Sequence, residues 1–387
     1  MHLIWATDDF KLVGQSKAGF PILLWENMNS CSEANEFLRY YLSRGAIGSA
    51  KSWPSTARAL YDFYGFLEAH SLRWDDVDRG EDKTLVSAYR DYCFNVAKLG
   101  RNTVRQRLLY VCAFYEFAKR QRWISNLPFE YEDHRTRRAN GFLQHVDASG
   151  GVTSIRSVMP RASKSLPKFM TKEQVKALIG AATNPHHRMI IRMAVQTGLR
   201  REELATFPLA YISAPNRTES NDRNIRVTLD PEDGSGMKTK GDVKRTIVIS
   251  RRLMQALYNY KIQRRGERAF LANGAQQPLF LNHTGAPWAA DGKGMEAMVR
   301  NIGRKIGIAT HPHMLRHTYA THTLVALQRR SSDNKIEPLV FLQKQLGHAS
   351  ITTTMVYLHL IDELADEAVL TYDDELNEWI DNGPSDG

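Results

Sequence analysis

The stretch TGLRREEL, at residues 197–204, restricts the fold and the function of this chain more than any other. It places Arg200 after a glycine-containing break and at the start of a predicted helix. Glu203 follows three residues later and shares the face of Arg200, so that it is able to hold a guanidinium or an imidazole in place. An arginine followed by a glutamate is, by itself, typical of a surface ion pair, and the interpretation therefore depends on the other stretches.

Three further stretches in the same half of the chain combine basic groups with a tyrosine: KTKG at 238–241, HMLRH at 313–317 and LGHASITTTMVYLH at 346–359. The i, i+3 spacing places His313 and Arg316 on one helical face. Ser350 is expected to cap the helix that presents Tyr357. Taken singly, each piece also fits an ordinary role, such as a solvated lysine, a structural histidine or a packed tyrosine.

In this order, the four stretches resemble the signature of the tyrosine recombinase, or phage integrase, family. The resemblance covers most of the chain beyond residue 30. It implies a mainly α-helical protein with a small antiparallel β-sheet in its catalytic domain, arranged as a two-domain clamp around DNA. By the same resemblance, glutamate 203 supports a set of catalytic residues: Arg200, Lys240, His313, Arg316, His348 and Tyr357.

Two positions in these stretches are ambiguous or unusual for the family. Lys238 competes with Lys240 for the role of the catalytic lysine, and we favour Lys240 because it precedes a glycine and stands five residues before Arg245. Arg201 occupies a position where small or polar residues are more usual.

The resemblance implies that the chain cuts and rejoins DNA strands through a covalent 3′-phosphotyrosyl link, without metal or nucleotide cofactor. The residue types suit this chemistry, because two guanidinium groups can hold the charged phosphate oxygens with bidentate donors. A phenol is a poor nucleophile until cations stabilise its anion, and the leaving 5′-oxygen needs a proton, which Lys240 would supply. The histidines around residue 313 also suggest a metal site, but no Asp, Glu or Cys in that segment completes a ligand set.

Charge and composition support a nucleic-acid partner. The 387 residues carry a net charge of +10, and the last 30 residues contain ten acidic and no basic side chains. The remaining body is therefore strongly basic, which favours a polyanion such as DNA. The sequence has three widely spaced cysteines, no signal-peptide pattern and no apolar run of the roughly 18 residues needed to span a membrane. We expect a cytoplasmic, nucleoid-associated protein.

Helical periodicity and composition divide the chain into five predicted parts. They are an N-terminal extension at 1–29 that could hold a short hairpin, a helical DNA-binding domain at 30–126, a basic interdomain linker at 127–167, a catalytic domain at 168–358, and an acidic tail at 359–387. Four helices are predicted between Ser32 and Trp123, and β-prone runs at 207–212, 224–229 and 245–249. Candidate DNA contacts are Arg101, Arg105, Arg161, Lys164 and Lys238.

The expected partners are double-stranded DNA and further copies of the chain, assembled as a tetramer on paired sites in which the tail packs on a neighbouring protomer or on its own domain. The resemblance also implies accessory DNA-bending or directionality proteins and a role in the movement of a mobile genetic element. Three alternatives stay open from the sequence: a type IB topoisomerase with the same catalytic groups, a non-catalytic DNA-binding regulator on the same fold, and, more distantly, a metal-dependent hydrolase.

Overall fold

The computed structural model describes residues 1–12, 14–44, 50–80, 83–135, 152–163, 166–214, 223–272, 274–329 and 337–358. The chain forms two compact units, residues 1–164 and residues 165–387. Helices dominate both units, and the strands pair only two at a time. Among the described helices, none has the length and apolar character required to cross a lipid bilayer.

Four helices form the body of the first unit: α1 (Ser32–Leu42), α2 (Trp53–Ala69), α3 (Leu85–Asn95) and α4 (Arg101–Arg120). They enclose a core rich in aromatic rings, among them Phe37, Phe63 and Phe114. The edge-to-face contact between Phe37 and Phe114, at 5.8 Å between centroids, is typical of such packing. The four predicted helices are therefore present, although α3 begins at Leu85, after the side chain of Thr84 accepts a bond from the amide of Ser87.

Two nested hairpins precede these helices. Strand β1 (His2–Trp5) pairs antiparallel with β4 (Pro21–Leu24), and β2 (Lys11–Leu12) pairs with β3 (Gln15–Ser16). Leu23 is completely buried. Its backbone N–H donates to Asn35 Oδ1 at 2.8 Å, and Asn35 Nδ2 donates to the carbonyl of Leu23 at 2.7 Å. The N-terminal segment is thus an integral part of the first unit.

The region 127–167 differs from the linker that the sequence predicts. Its described residues contain a third antiparallel pair, β5 (Tyr131–Arg135) with β6 (Val152–Arg156). Phe129 and Val158 are buried in the core of the first unit, and Arg156 forms a 2.6 Å ion pair with Glu116 of α4. The strands lack a regular apolar alternation and are far apart in sequence, which is why no hairpin signal was visible.

The second unit comprises α5 (Lys172–Ala181), α6 (Pro185–Thr197), α7 (Arg201–Ala205), β7 (Asn224–Leu229), β8 (Arg245–Ser250), α8 (Arg251–Gln263), α9 (Arg265–Ala269), α10 (Lys293–Lys305), α11 (Pro312–Arg329), α12 (Pro338–Leu346) and α13 (351–358). Strands β7 and β8 form the predicted antiparallel pair, with Leu229 opposite Arg245. The prediction of a strand at 207–212 was wrong. Pro208 forms an isolated antiparallel bridge with Pro278, and a 3₁₀ turn (Leu209–Tyr211) follows it directly and ends the extended backbone.

Candidate active site

A glycine at the end of α6 positions the first arginine of the site. Gly198 adopts a left-handed conformation, with φ of 67°, and ends the helix. A Cβ atom at this position would lie only 2.5 Å from the ring of Tyr319, so the site requires glycine for space as well as for conformation. Two residues later, Arg200 is the N-cap of the short helix α7. The break therefore directs its side chain toward Gly347, whose carbonyl accepts a 3.0 Å bond from Arg200 Nη2.

Glu203 is completely buried and is bound by two arginines. Arg245 Nη1 and Nη2 donate to its two carboxylate oxygens at 2.6 and 2.8 Å, and Arg200 donates through its backbone amide at 2.8 Å and through Nη1 at 3.1 Å. Burial acts to raise the pKa of the Glu203 carboxyl, but the hydrogen bonds and charge of Arg245 and the charge of Arg200 outweigh it and hold this pKa below its ordinary value. The carboxylate is therefore charged at neutral pH and orients Arg200.

Arg316, on α11, is 1% exposed and is held by two backbone carbonyls. Nη1 donates to Gly198 O at 2.7 Å and Nη2 donates to Leu346 O at 2.6 Å. Burial and the nearby charge of Arg200 lower the pKa of Arg316 to about 9, which leaves it charged at neutral pH. Two guanidinium groups from distant parts of the sequence, those of Arg200 and Arg316, are thus fixed on the adjacent carbonyls of Gly347 and Leu346.

Tyr357, on α13, is 1% exposed, and its hydroxyl lies 2.9 Å from Nδ1 of His317. Burial raises the pKa of the Tyr357 phenol, while the charges of Arg316 and Arg200 act to lower it. Both arginines are therefore close enough to influence the phenol electrostatically.

The other predicted histidines lie near the same ring. His348 Nδ1 is 2.9 Å from the hydroxyl of Thr354, and its ring is parallel to that of Tyr357 within 9°, at 6.3 Å between centroids. His313 is exposed, and its ring centroid lies 4.2 Å from that of His317. Burial and the charge of Arg316 lower the pKa of both predicted histidines, to about 4 for His348. Both rings are neutral at physiological pH and can donate one hydrogen bond each.

The lysine loop lies between β7 and β8, outside this cluster. Lys238 and Lys240 are both exposed, while Thr239 between them is buried and its hydroxyl donates to Val243 O at 2.9 Å. Gly241 and Asp242 have positive φ values, 72° and 53°, which form a tight turn directly after Lys240. Within the described part of the chain, neither ammonium group hydrogen-bonds a neighbour, so no side-chain hydrogen bond ties either lysine to the arginine cluster.

The predicted DNA contacts other than Lys238 belong to the first unit. Arg101 and Arg161 are exposed, whereas Arg105 Nη1 donates to Pro160 O at 2.7 Å. Lys164 and the acidic tail 359–387 lie outside the described residues. Arg201, the unusual residue of the first stretch, forms an ion pair with Glu296 of α10 and so connects α7 to its neighbour.

Sequence reasoning missed two residues of the site. Gln345 is buried, and its side-chain amide bonds Val248 N at 2.8 Å, Val248 O at 3.1 Å and Thr197 O at 3.3 Å, so it joins the sheet, α6 and α12. His317 contacts the tyrosine hydroxyl, and its position next to Arg316 was the available signal. Within the described residues, no group of three His, Cys, Asp or Glu side chains is placed to hold a metal ion.

The chain is similar to known proteins in sequence and in structure. The model of the phage integrase family matches residues 168–363, half of the chain. Tyrosine recombinase XerD of Halalkalibacterium halodurans is 26% identical over 305 residues, which cover 75% of this chain and 91% of that protein. Tyrosine recombinase XerC of Xylella fastidiosa strain M23 is 25% identical over 319 residues, which cover 79% and 92%.

Solved structures of recombinases share the fold. A XerH site-specific recombinase bound to its palindromic difH substrate after cleavage matches with a TM-score of 0.57 and 17% identity over 89% of this chain and 86% of that one. The Tn1549 transposon integrase in complex with transposon right end DNA matches with a TM-score of 0.56 and 17% identity, over 87% and 99%. At these identities the similarity concerns the fold. The expected mainly helical fold with small antiparallel sheets is confirmed.

Proposed function

This chain belongs to the phage integrase family and is a tyrosine site-specific recombinase, and we propose that it breaks and rejoins double-stranded DNA through a 3′-phosphotyrosyl link on Tyr357. The observation that supports this assignment is that Arg200 and Arg316 donate to the adjacent carbonyls of Gly347 and Leu346. The next residue, His348, has its ring 6.3 Å from that of the buried Tyr357. A phosphodiester held by these cations would have its non-bridging oxygens neutralised as charge accumulates during displacement. Glu203 orients Arg200, and the neutral His313 and His348 would donate further hydrogen bonds to the phosphate.

The two halves of the reaction need different groups. Attack by Tyr357 on phosphorus forms the phosphotyrosyl bond, and the departing 5′-oxygen takes a proton, which we assign to Lys240 on its exposed loop. Because the phosphotyrosyl bond retains the energy of the broken linkage, the 5′-hydroxyl of the partner strand can displace the tyrosine without metal or nucleotide. The arginines act in cleavage and in rejoining, since both steps pass through the same pentavalent arrangement at phosphorus.

A covalent-trapping experiment tests this proposal. The chain is incubated with nicked suicide DNA from its genomic neighbourhood and separated on a denaturing gel. We expect an adduct that Tyr357→Phe abolishes and that Tyr258→Phe, a half-buried tyrosine of α8, leaves intact. The absence of an adduct from the unaltered chain on any such DNA, or its survival in Tyr357→Phe, contradicts the assignment.

The same experiment separates the alternatives. A topoisomerase would relax supercoiled DNA without a specific site and as a monomer. A regulator would retain its activity in Tyr357→Phe, and a metal-dependent hydrolase would lose activity in a chelator. The family membership and the filled catalytic positions favour recombination over each of these.

We further propose a tetramer on paired sites, joined through the acidic tail. The second unit has an apolar groove of about 1090 Å³ between α5, α6, α8 and α11. Its rim is basic, with Lys172, Lys176, Arg188, Arg192 and Arg264 among the lining residues. This charge is complementary to the tail, which carries ten acidic and several apolar side chains, among them Leu360, Leu364, Leu370, Leu376, Trp379 and Ile380.

Truncation after Leu358 tests this assembly. We expect the shortened chain to bind a single site but to lose the tetramer on paired sites, as measured by light scattering, and Arg192→Glu in the groove to have the same effect. An unchanged assembly in both variants contradicts the exchange, and a chain that is monomeric throughout indicates a tail folded on its own groove.

Because its substrate is DNA, we place the chain in the cytoplasm, associated with the nucleoid. The same proposal includes a role in the movement of a mobile genetic element and assistance from accessory DNA-bending or directionality proteins. Sequencing of rearranged DNA that flanks the gene, with and without the active chain, tests the role in a mobile element. The need for accessory proteins is tested by adding cell proteins to a recombination reaction with the purified chain.

A further inference from the structure

His317 is the residue that contacts the reacting oxygen of the site. Its Nδ1 lies 2.9 Å from the hydroxyl of Tyr357, and it reaches across from α11 to α13. Within the described residues, the tyrosine hydroxyl has no other hydrogen-bond partner. The described structure has no hydrogen bond from His313 or His348 to this hydroxyl; Nδ1 of His348 bonds Thr354, and His313 is exposed.

The direction of this hydrogen bond follows from burial. Burial, together with nearby cationic groups such as Arg316, lowers the pKa of His317 to about 3, so the ring is neutral at physiological pH. A neutral imidazole carries one N–H and one acceptor nitrogen. If Nδ1 carried the proton, the buried O–H of Tyr357 would have no acceptor, which costs free energy. The phenol therefore donates and Nδ1 accepts.

We propose that His317 is a further catalytic residue, the base that receives the phenolic proton of Tyr357. In this step, which rests on the proposed function, the bond from Tyr357 oxygen to phosphorus forms and the bond from phosphorus to the 5′-oxygen breaks. The proton of the phenol moves to His317 Nδ1, and the 5′-oxygen takes a proton from Lys240. On religation both protons return.

The incoming DNA prepares His317 for this role. Burial is the largest cause of the low pKa of His317, and the charge of Arg316, which a phosphodiester would neutralise, is a smaller one. An anion placed against Arg316 therefore raises the pKa of His317, by the electrostatic rule that opposite charges favour the charged form. The base is weak until its substrate is bound, which limits ionisation of the tyrosine in the absence of DNA.

Two variants of matched size test the role of His317. In His317→Asn, Oδ1 occupies the place of Nδ1 and can accept a hydrogen bond but cannot carry a proton at neutral pH, whereas His317→Leu does neither. We expect single-turnover cleavage of suicide DNA to slow by about 100-fold or more in His317→Leu, with His317→Asn between that variant and the unaltered chain. Cleavage at the original rate in either variant overturns the proposal, because neither side chain can take up the proton. Equal slowing of both folded variants supports proton uptake as the whole of the effect.

A second substrate shows which of the two proton transfers involves His317, the one from the phenol or the one to the leaving 5′-oxygen. DNA with sulfur in place of the bridging 5′-oxygen has a leaving group that departs without a proton. It should restore cleavage by Lys240→Ala but not by His317→Leu, and restoration of His317→Leu contradicts the assignment. DNA affinity and the urea midpoint of each variant show whether it is folded.

A third measurement needs no catalysis. Nitrogen-15 NMR of the DNA-free protein should show His317 with its proton on Nε2, and this signal should shift in Tyr357→Phe. A proton on Nδ1 overturns the proposed direction of the bond. If the unaltered chain forms no adduct while the Nε2 proton is observed, the recombinase assignment fails and the hydrogen bond stands.

Discussion

The carboxylate of Glu203 accepts both terminal nitrogens of Arg245, at 2.6 and 2.8 Å. Arg200 bonds the same carboxylate, and its remaining terminal nitrogen bonds Gly347. A Cβ atom at Gly347 would lie 2.7 Å from the side chain of Arg245. One buried carboxylate therefore joins the TGLR stretch, the strand after the lysine loop and the LGH stretch. The relationship explains why Arg245 is part of the site although no chemistry is assigned to it.

Replacement of Glu203 by Gln should destabilise the second unit. It leaves Arg245 buried without its counter-charge, and breaking a buried pair costs about 3–5 kcal/mol. Urea unfolding measures this loss, and Glu296→Gln, which removes a more exposed partner of Arg201, is the matched control. A loss no larger than that of the control contradicts the role of Glu203.

Substitution of Lys240 should affect the cleavage rate more than substitution of Lys238, although both side chains are exposed. Lys240→Ala removes the proposed proton donor and should slow cleavage by about 100-fold or more. Lys238→Ala should leave the cleavage rate within a factor of a few and lower DNA affinity. Single-turnover rates at saturating protein separate the two, and the reverse order of effects would assign the acid to Lys238.

The stability of the second unit should fall in mild acid. The pKa values of His317 and His348 are lowered to about 3 and about 4, so the unfolded chain binds their protons at higher pH than the folded chain does. Their contribution is complete above the ordinary histidine pKa of about 6.5 and is lost as pH falls toward the folded values. Urea midpoints at several pH values measure the slope. His348→Asn should flatten the slope and the exposed His283→Asn should not.

Gln345→Leu should lower the stability of the second unit without removing a charge. The substitution leaves the buried backbone groups of Val248 and Thr197 without their partner, at a cost of about 2–4 kcal/mol. The unfolding midpoint measures this cost, and Gln255→Leu on α8 serves as the control. A midpoint shift equal to that of Gln255→Leu would show that the amide does not join these elements.

The first unit should contribute to DNA affinity through phosphate contacts. Affinity should fall steeply between about 50 and 300 mM salt, and Arg101→Ala and Arg161→Ala should each reduce the salt slope by about one unit. Lys83→Ala, which removes one of the two basic partners of Asp91, is the control. A flat salt response, or slopes that no variant alters, contradicts a clamp held by these residues.

Much of the active site could be predicted from the sequence because the catalytic groups occur in short local patterns. A glycine break before an arginine, and an i, i+3 pair of histidine and arginine, depend on backbone geometry that a few adjacent residues impose. The family and the mainly helical fold were predicted in this way and are confirmed. The lysine assignment stays a prediction, because within the described residues no hydrogen bond joins either lysine side chain to the arginine cluster.

Other features depend on residues far apart in the chain. The hairpin at 131–135 and 152–156 has no strong apolar alternation, so its pairing is visible only in three dimensions. The bonds from Gln345 to Val248 and from His317 to Tyr357 span 97 and 40 residues. Local sequence determined which groups the site contains and which helices carry them. Tertiary packing alone decided which hydrogen-bond partner each buried polar atom received. A buried polar atom left unpaired costs free energy, and the group that pairs with it is one that folding brings close from a distant part of the chain.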